Sequence, residues 1–174
     1  MRKILYLALF CIALNAKTMY IYDEKVTLLE PNSKKSVGIA YEGTPVELIS
    51  NDGKMATIKI NGFLNKDNKS ILSLSKDGFV SLLKLYNTTP SQSGIYLVPS
   101  DKLTANKDEA WDEVKLYYYD TCSTCHAAHK PKEHQANEWE AYIAAMQDFA
   151  KIDDENLARI VRFMQAFASD GDLR

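Results

Sequence analysis

The 174-residue sequence predicts an α+β chain of two small domains, a small β-barrel or sandwich with a connecting segment over residues 17–100 followed by an all-α domain over residues 101–174. Two observations carry this expectation. Short runs separated by turn signals at roughly ten-residue intervals fill the first half of the chain, the pattern of a small barrel or sandwich. After Lys102, apolar residues recur instead at three- and four-residue steps, the period of amphipathic helices. A third feature sets residues 1–16 apart from both.

The chain opens MRKILYLALFCIALNAK. Arg2 and Lys3 form a basic start, Ile4 to Leu14 is an apolar run of about ten residues, and Ala16 is a small residue before a cleavage point, the three parts of a secretory signal peptide. A spanning helix needs about twenty apolar residues, so the run is too short for an anchor. Cys11 follows bulky Leu9 and Phe10 and reads as one more apolar residue of the leader. Loss of Arg2 and Lys3 takes the 21 basic residues to 19 against 23 acidic ones, a net charge of −4. An acidic balance speaks against nucleic acid and anionic membrane surfaces as partners. The expectation is an exported protein of the periplasm, without stable membrane insertion.

Within residues 24–64 the runs KVTLLE, SVGIAY, TPVELIS and KMATIKI read as strands, divided at PNSK, EGT and NDG. Asn51-Asp52-Gly53 between two alternating runs is a hairpin signal, because Gly supplies a positive φ at little cost. The region resembles the bacterial SH3-like domain in the strand ending at Pro31, in Gly43-Thr44-Pro45-Val46 and in DGKMATIKINGF, and departs from it at Met55, where such domains place a tryptophan. The resemblance implies an SH3-like barrel. DGFVSLLKLY and GIYLV, between Asn65 and Pro99, carry weaker strand signals.

Three helices follow. Trp111, Val114 and Tyr118 share one face, with Cys122 one turn later; Trp139, Tyr142, Ile143, Met146 and Phe149 share another; Leu157, Ile160, Val161, Met164 and Phe167 share a third, with Asp153 or Asp154 as its cap. Three helices over about 70 residues make a meagre core, which a large flat apolar cofactor would enlarge.

The motif that carries chemistry is DTCSTCHAAH, residues 120–129. C-x-x-C-H is the attachment signature of c-type haem: Cys122 and Cys125, about a helical turn apart, each add to one vinyl group, and His126 becomes the proximal iron ligand. A thioredoxin-like dithiol would expect a βαβ setting, and a zinc site would need a further Cys or His pair. Met146, twenty residues after His126 and expected on the buried face of its helix, leads as distal ligand; His134 and His129 come next and Met164 last. Lys130 and Lys132 are the positive charges nearest the motif.

The stretch DTCSTCHAAHKPKEHQANEWEAYIAAMQDFA resembles the C-terminal monohaem domain of the multihaem cytochromes that serve periplasmic trimethylamine N-oxide and sulfoxide reductases. The match runs over Cys122, Cys125, His126, His129, Pro131, His134, Trp139 and Met146. It implies one covalent haem c, no catalytic residue of the chain's own, and single-electron transfer to a molybdenum-dependent S-/N-oxide reductase from an upstream quinol-oxidising cytochrome. The competing class is a haem-based ligand-binding or sensor domain with a vacant sixth position; a third is an adaptor in which the haem is structural.

Overall fold

The computed structural model of the protein describes residues 17–173; the expected leader of residues 1–16, Cys11 included, lies outside the described residues. Among these residues ten strands form one antiparallel sheet: β1 (Lys17–Ile21), β2 (Lys25–Leu29), β3 (Ser36–Tyr41), β4 (Pro45–Asn51), β5 (Met55–Asn61), β6 (Phe63–Leu64), β7 (Ile71–Ser73), β8 (Ser81–Leu85), β9 (Ser93–Pro99) and β10 (Leu103–Thr104). Three helices follow, α1 (Glu109–Cys122), α2 (Ala136–Ala150) and α3 (Asp154–Ala166). No described helix is long and apolar enough to cross a membrane.

Period-two alternation makes the strands. In β5, Ala56, Ile58 and Ile60 are fully buried while Thr57 and Lys59 between them are only half-buried. The β4–β5 turn closes as its sequence demands: Gly53 takes φ 93°, and the side-chain oxygens of Asn51 and Asp52 accept from the Gly53 and Met55 amides, each at 2.7 Å.

The expected SH3-like β-barrel is not what forms. The strands lie in the order β10-β1-β4-β5-β9-β2-β3-β8-β7-β6 as one ten-stranded sheet. The reason is β9, from the segment with the weaker signals. It pairs with β5 along its whole length, Met55↔Pro99 to Asn61↔Ser93, and meets β2 at Leu29↔Leu97, so it separates the β2–β3 and β4–β5 hairpins that a small barrel would join directly. β1 and β10 extend the sheet beyond β4, and β8, β7 and β6 extend it beyond β3.

One apolar core, including Ile21, Leu28, Ile58, Leu83 and Val98, belongs wholly to the sheet region. A second gathers Trp111, Val114, Tyr118, Trp139, Ile160 and Phe163 between the helices, with α3 packed against both α1 and α2. The turn after β3 joins the two. Glu42, 1% exposed, takes a bidentate pair from Arg159 of α3 (Nε–Oε1 and Nη2–Oε2, both 2.9 Å). Arg162, one turn on, donates to the Glu42 carbonyl at 2.6 Å and the Ser81 carbonyl at 2.9 Å, and lies over the Tyr41 and Trp111 rings. Complete burial lowers Arg162 to about 10, so it remains a cation at neutral pH. Gly43, at φ 72°, lies flat on Trp111: a Cβ there would stand 2.0 Å from the indole.

Candidate functional site

Helix α1 buries Ala110, Trp111, Val114 and Tyr118 and ends at Cys122, where the Ser123 amide donates to the Tyr119 carbonyl at 3.0 Å. This puts Cys122, half-buried, on the last turn of a helix whose register the core fixes. Thr124 then closes a turn onto the Thr121 carbonyl at 2.9 Å, bringing Cys125 and His126 out to the surface. Both cysteines are free thiols. Burial pushes the Cys122 thiol up, the opposite of what an activated redox dithiol requires. Among the described residues no three His, Cys, Asp or Glu side chains gather as a metal site.

His126 Nδ1 lies 3.0 Å from the Ala127 carbonyl. With Nδ1–H donating there, Nε2 keeps its lone pair outward, the tautomer an iron ligand needs. The segment after the motif is pinned from three sides. The Tyr118 hydroxyl donates to the His129 carbonyl at 2.9 Å, Trp139 Nε1 donates to the Pro131 carbonyl at 3.0 Å, and the Ser169 amide and hydroxyl both donate to the His134 carbonyl at 3.0 Å. Burial raises the Tyr118 hydroxyl well above its ordinary range, so it stays a donor. His129 Nδ1 is 2.7 Å from Glu133 Oε2, and that contact holds the Glu133 carboxyl below the usual range. The aromatic pattern alone marks Tyr118 and Trp139 as core; their polar ends, which hold this segment, carry no signature in the sequence.

Helix α2 starts with Gln135 and Glu138 closing on each other, the Gln135 amide donating to Glu138 Oε2 at 2.8 Å. Trp139 and Ile143 are buried at 1% and 6% exposure, but Met146 is 42% exposed, Tyr142 47% and Phe149 83%. Met146 therefore does not sit on a buried face. The packed line of α2 runs from Trp139 and Ile143 to Gln147 and Ala150, and on to buried Ile152, so Met146 stands beside that line rather than on it. A chain of rings leads from the motif to this uncovered face: His126 to His129 at 6.4 Å, His129 to His134 at 5.7 Å, and His134 to Tyr142 at 4.3 Å. His134 also meets Trp139 at 5.0 Å. Met164, by contrast, is fully buried in the helical core.

These residues fit a covalently held haem. Two free thiols stand at the end of a core-fixed helix, the neighbouring imidazole has its Nδ1 engaged, and three large apolar side chains on α2, reached from it through His129 and His134, are exposed. Cys122 and Cys125 would hold the group, His126 would ligate its iron, and Tyr142, Met146 and Phe149 offer an apolar surface to it. When bound, haem c supplies an iron that cycles between two oxidation states.

Residues 118–173 match the family model of dihaem cytochrome c. The C-terminal third is a c-type cytochrome domain, a module that binds haem c and transfers electrons. The family's name denotes two haems; one C-x-x-C-H stands in this chain. No curated protein and no solved structure matches the chain.

Proposed function

We propose that the protein is a periplasmic electron carrier with one haem on Cys122 and Cys125, ligated by His126 and Met146, that passes single electrons from an upstream quinol-oxidising cytochrome to a molybdenum-dependent S-/N-oxide reductase in anaerobic respiration. The observation that carries the proposal is the motif in its setting: free thiols on either side of a tight turn and His126 with Nδ1 occupied by the Ala127 carbonyl. The apolar leader supports export, and the spacing from Trp139 to Met146 supports the choice of partner. Two protein ligands leave no position for a substrate, so the role is to exchange electrons, and a Met/His pair favours the reduced iron and suits donation to an oxidising acceptor. Reducing one N-oxide or S-oxide to amine or sulfide and water consumes two electrons and two protons, so two reduced chains serve each turnover.

The test mixes dithionite-reduced, desalted cytochrome with the purified reductase and follows haem oxidation after addition of trimethylamine N-oxide or dimethyl sulfoxide. Reoxidation that needs both enzyme and oxide is the expected result; none, with a demonstrably active enzyme, overturns the choice of acceptor. A high-spin ferrous spectrum would replace the carrier reading with a ligand-binding one.

A further inference from the structure

The helical region is acidic, with eight Lys and Arg against fifteen Asp and Glu over residues 101–173. Four of the eight cations are firmly engaged. Arg159 and Arg162 hold Glu42, Lys102 pairs with Asp23, and Lys107 donates to the Leu173 carbonyl while lying over the Phe167 ring. Lys130, Lys132 and Lys151 remain, with Lys115 held only by its 4.0 Å contact with Asp112. Three of these, Lys115, Lys130 and Lys132, converge on one cavity of about 310 Å³ between α1, the segment after the motif and α3. Its walls are Trp111, Tyr119, Phe163 and Phe167. Asp108 is its one carboxylate, and Asp112 stands 4.0 Å from Lys115. Neither cysteine of the motif, nor His126, nor Met146 lines it, so it is distinct from the haem-attachment residues.

We propose that this cavity binds a planar aromatic monoanion, of the class of a one- or two-ring arylcarboxylate. Trp111 and Phe167 meet edge to face at 5.7 Å and Phe163 and Phe167 are 5.4 Å apart, so the walls present ring faces and edges at more than one angle, suited to a flat ring. Ligand cavities commonly run from about 300 to 1,000 Å³, and one at the lower end takes one or two rings rather than a dinucleotide. The ammonium groups belong to exposed residues, so a carboxylate meets them at the mouth with its ring inside. Asp108 opposes a second negative charge. An acidic side chain of a protein partner would satisfy the lysines and leave the aromatic walls uncovered, which is why the observations favour a small ligand. The occupant would touch Lys130, four residues from His126, on a segment that Trp139 holds through Pro131.

The experiment is isothermal titration of the full haem-loaded chain with 2-naphthoate and with neutral 2-naphthamide at low ionic strength. Naphthoate should bind at least about tenfold more tightly than the amide, and the double variant Lys130→Gln/Lys132→Gln, both positions being exposed, should remove that preference while leaving the visible spectrum unchanged. Naphthoate should also move the amide resonances of Tyr119 and Phe167 and leave those of the sheet in place. No binding up to about 5 mM, equal binding of both compounds, or an unchanged preference in the double variant would overturn the proposal. Tight binding of poly-glutamate with no response to naphthoate would overturn it too, assigning the lysines to an acidic protein surface.

Discussion

The sheet and the helices leave apolar surface outside in different ways. On the sheet, Tyr22, Ile49, Leu64, Tyr86 and Ile95 are exposed, but they are scattered over several strands and loops, as single exposed apolar residues on any soluble protein are. On α2 they fall on consecutive turns of one helix: Tyr142, Met146 and Phe149 sit one turn apart, and a chain of rings through His129 and His134 links Tyr142 to the C-x-x-C-H motif. The sheet thus encloses a core of its own making, from Ile21 to Val98, whereas the helical core takes only one side of α2, Trp139, Ile143 and Ala150, and leaves the neighbouring line of Tyr142, Met146 and Phe149 outside. The difference teaches where the chain expects something it does not itself supply.

The largest effect is expected where the two regions meet. Glu42→Ala would remove the buried carboxylate that Arg159 holds bidentate and that Arg162 Nη1 faces at 3.8 Å, leaving Arg159 only the more exposed carboxylates of Glu24 and Glu113, and removing one member of a buried ion pair costs about 3–5 kcal/mol. Urea unfolding of the variant measures it. A loss well under about 1 kcal/mol would mean that sheet and helices do not depend on each other through this turn.

The next effect separates the two kinds of exposed apolar surface. Phe149→Ser in a chain with both motif cysteines replaced by serine should stay within about 0.5 kcal/mol of its parent, because an 83%-exposed ring has little burial to lose. In the haem-loaded chain the same change should lower the unfolding midpoint distinctly, and Ile95→Ser, on the sheet, should show no such dependence on haem. Equal effects of Phe149→Ser with and without haem would break the comparison. At the iron itself, ferric protein should show the weak far-red band of sulfur ligation, and Met146→His should abolish it and lower the potential. A band that survives Met146→Leu would transfer the role to Met164, and one absent from the start would favour His134 or His129.

Local signals made much of this legible. The β4–β5 hairpin was readable at Asn51-Asp52-Gly53, and the three helices at their apolar periods, because each depends on residues close in sequence. The sheet order was not. Nothing within Ser93–Pro99 says that it will lie between β5 and β2, pairings that span dozens of residues and depend on the whole core. β1, which pairs Tyr20 with both Pro45 and Thr104, was missed for the same reason. Cys122, Cys125 and His126 stand out because their order is the motif, and the family match over residues 118–173 spans all three. The exposure of Met146 was not, since apolar residues at Trp139, Tyr142, Ile143, Met146 and Phe149 cover a wide arc of the helix, and periodicity alone does not say that the core takes the Ile143–Ala150 side of it.

The smallest effect concerns the start of α3, the helix that carries both arginines of the junction. Asp153 accepts from the Asn156 amide at 2.8 Å, and this backbone hydrogen bond, the largest influence on it, holds its carboxyl below the usual range. A carboxyl lowered by folding stabilises the native state above its unfolded pKa, and the contribution fades as pH falls through the folded value. Asp153→Ala should therefore lower the thermal midpoint at pH 7, and the gap from the parent should narrow as the pH is taken below the ordinary carboxylate range. Asp153→Asn keeps a capping oxygen and loses only the charge, so its deficit at pH 7 should be the smaller of the two. Thermal unfolding of the three chains across that range decides it: a gap for Asp153→Ala that is constant with pH would mean that α3 is held at its start by packing against Glu42 and the sheet rather than by its cap.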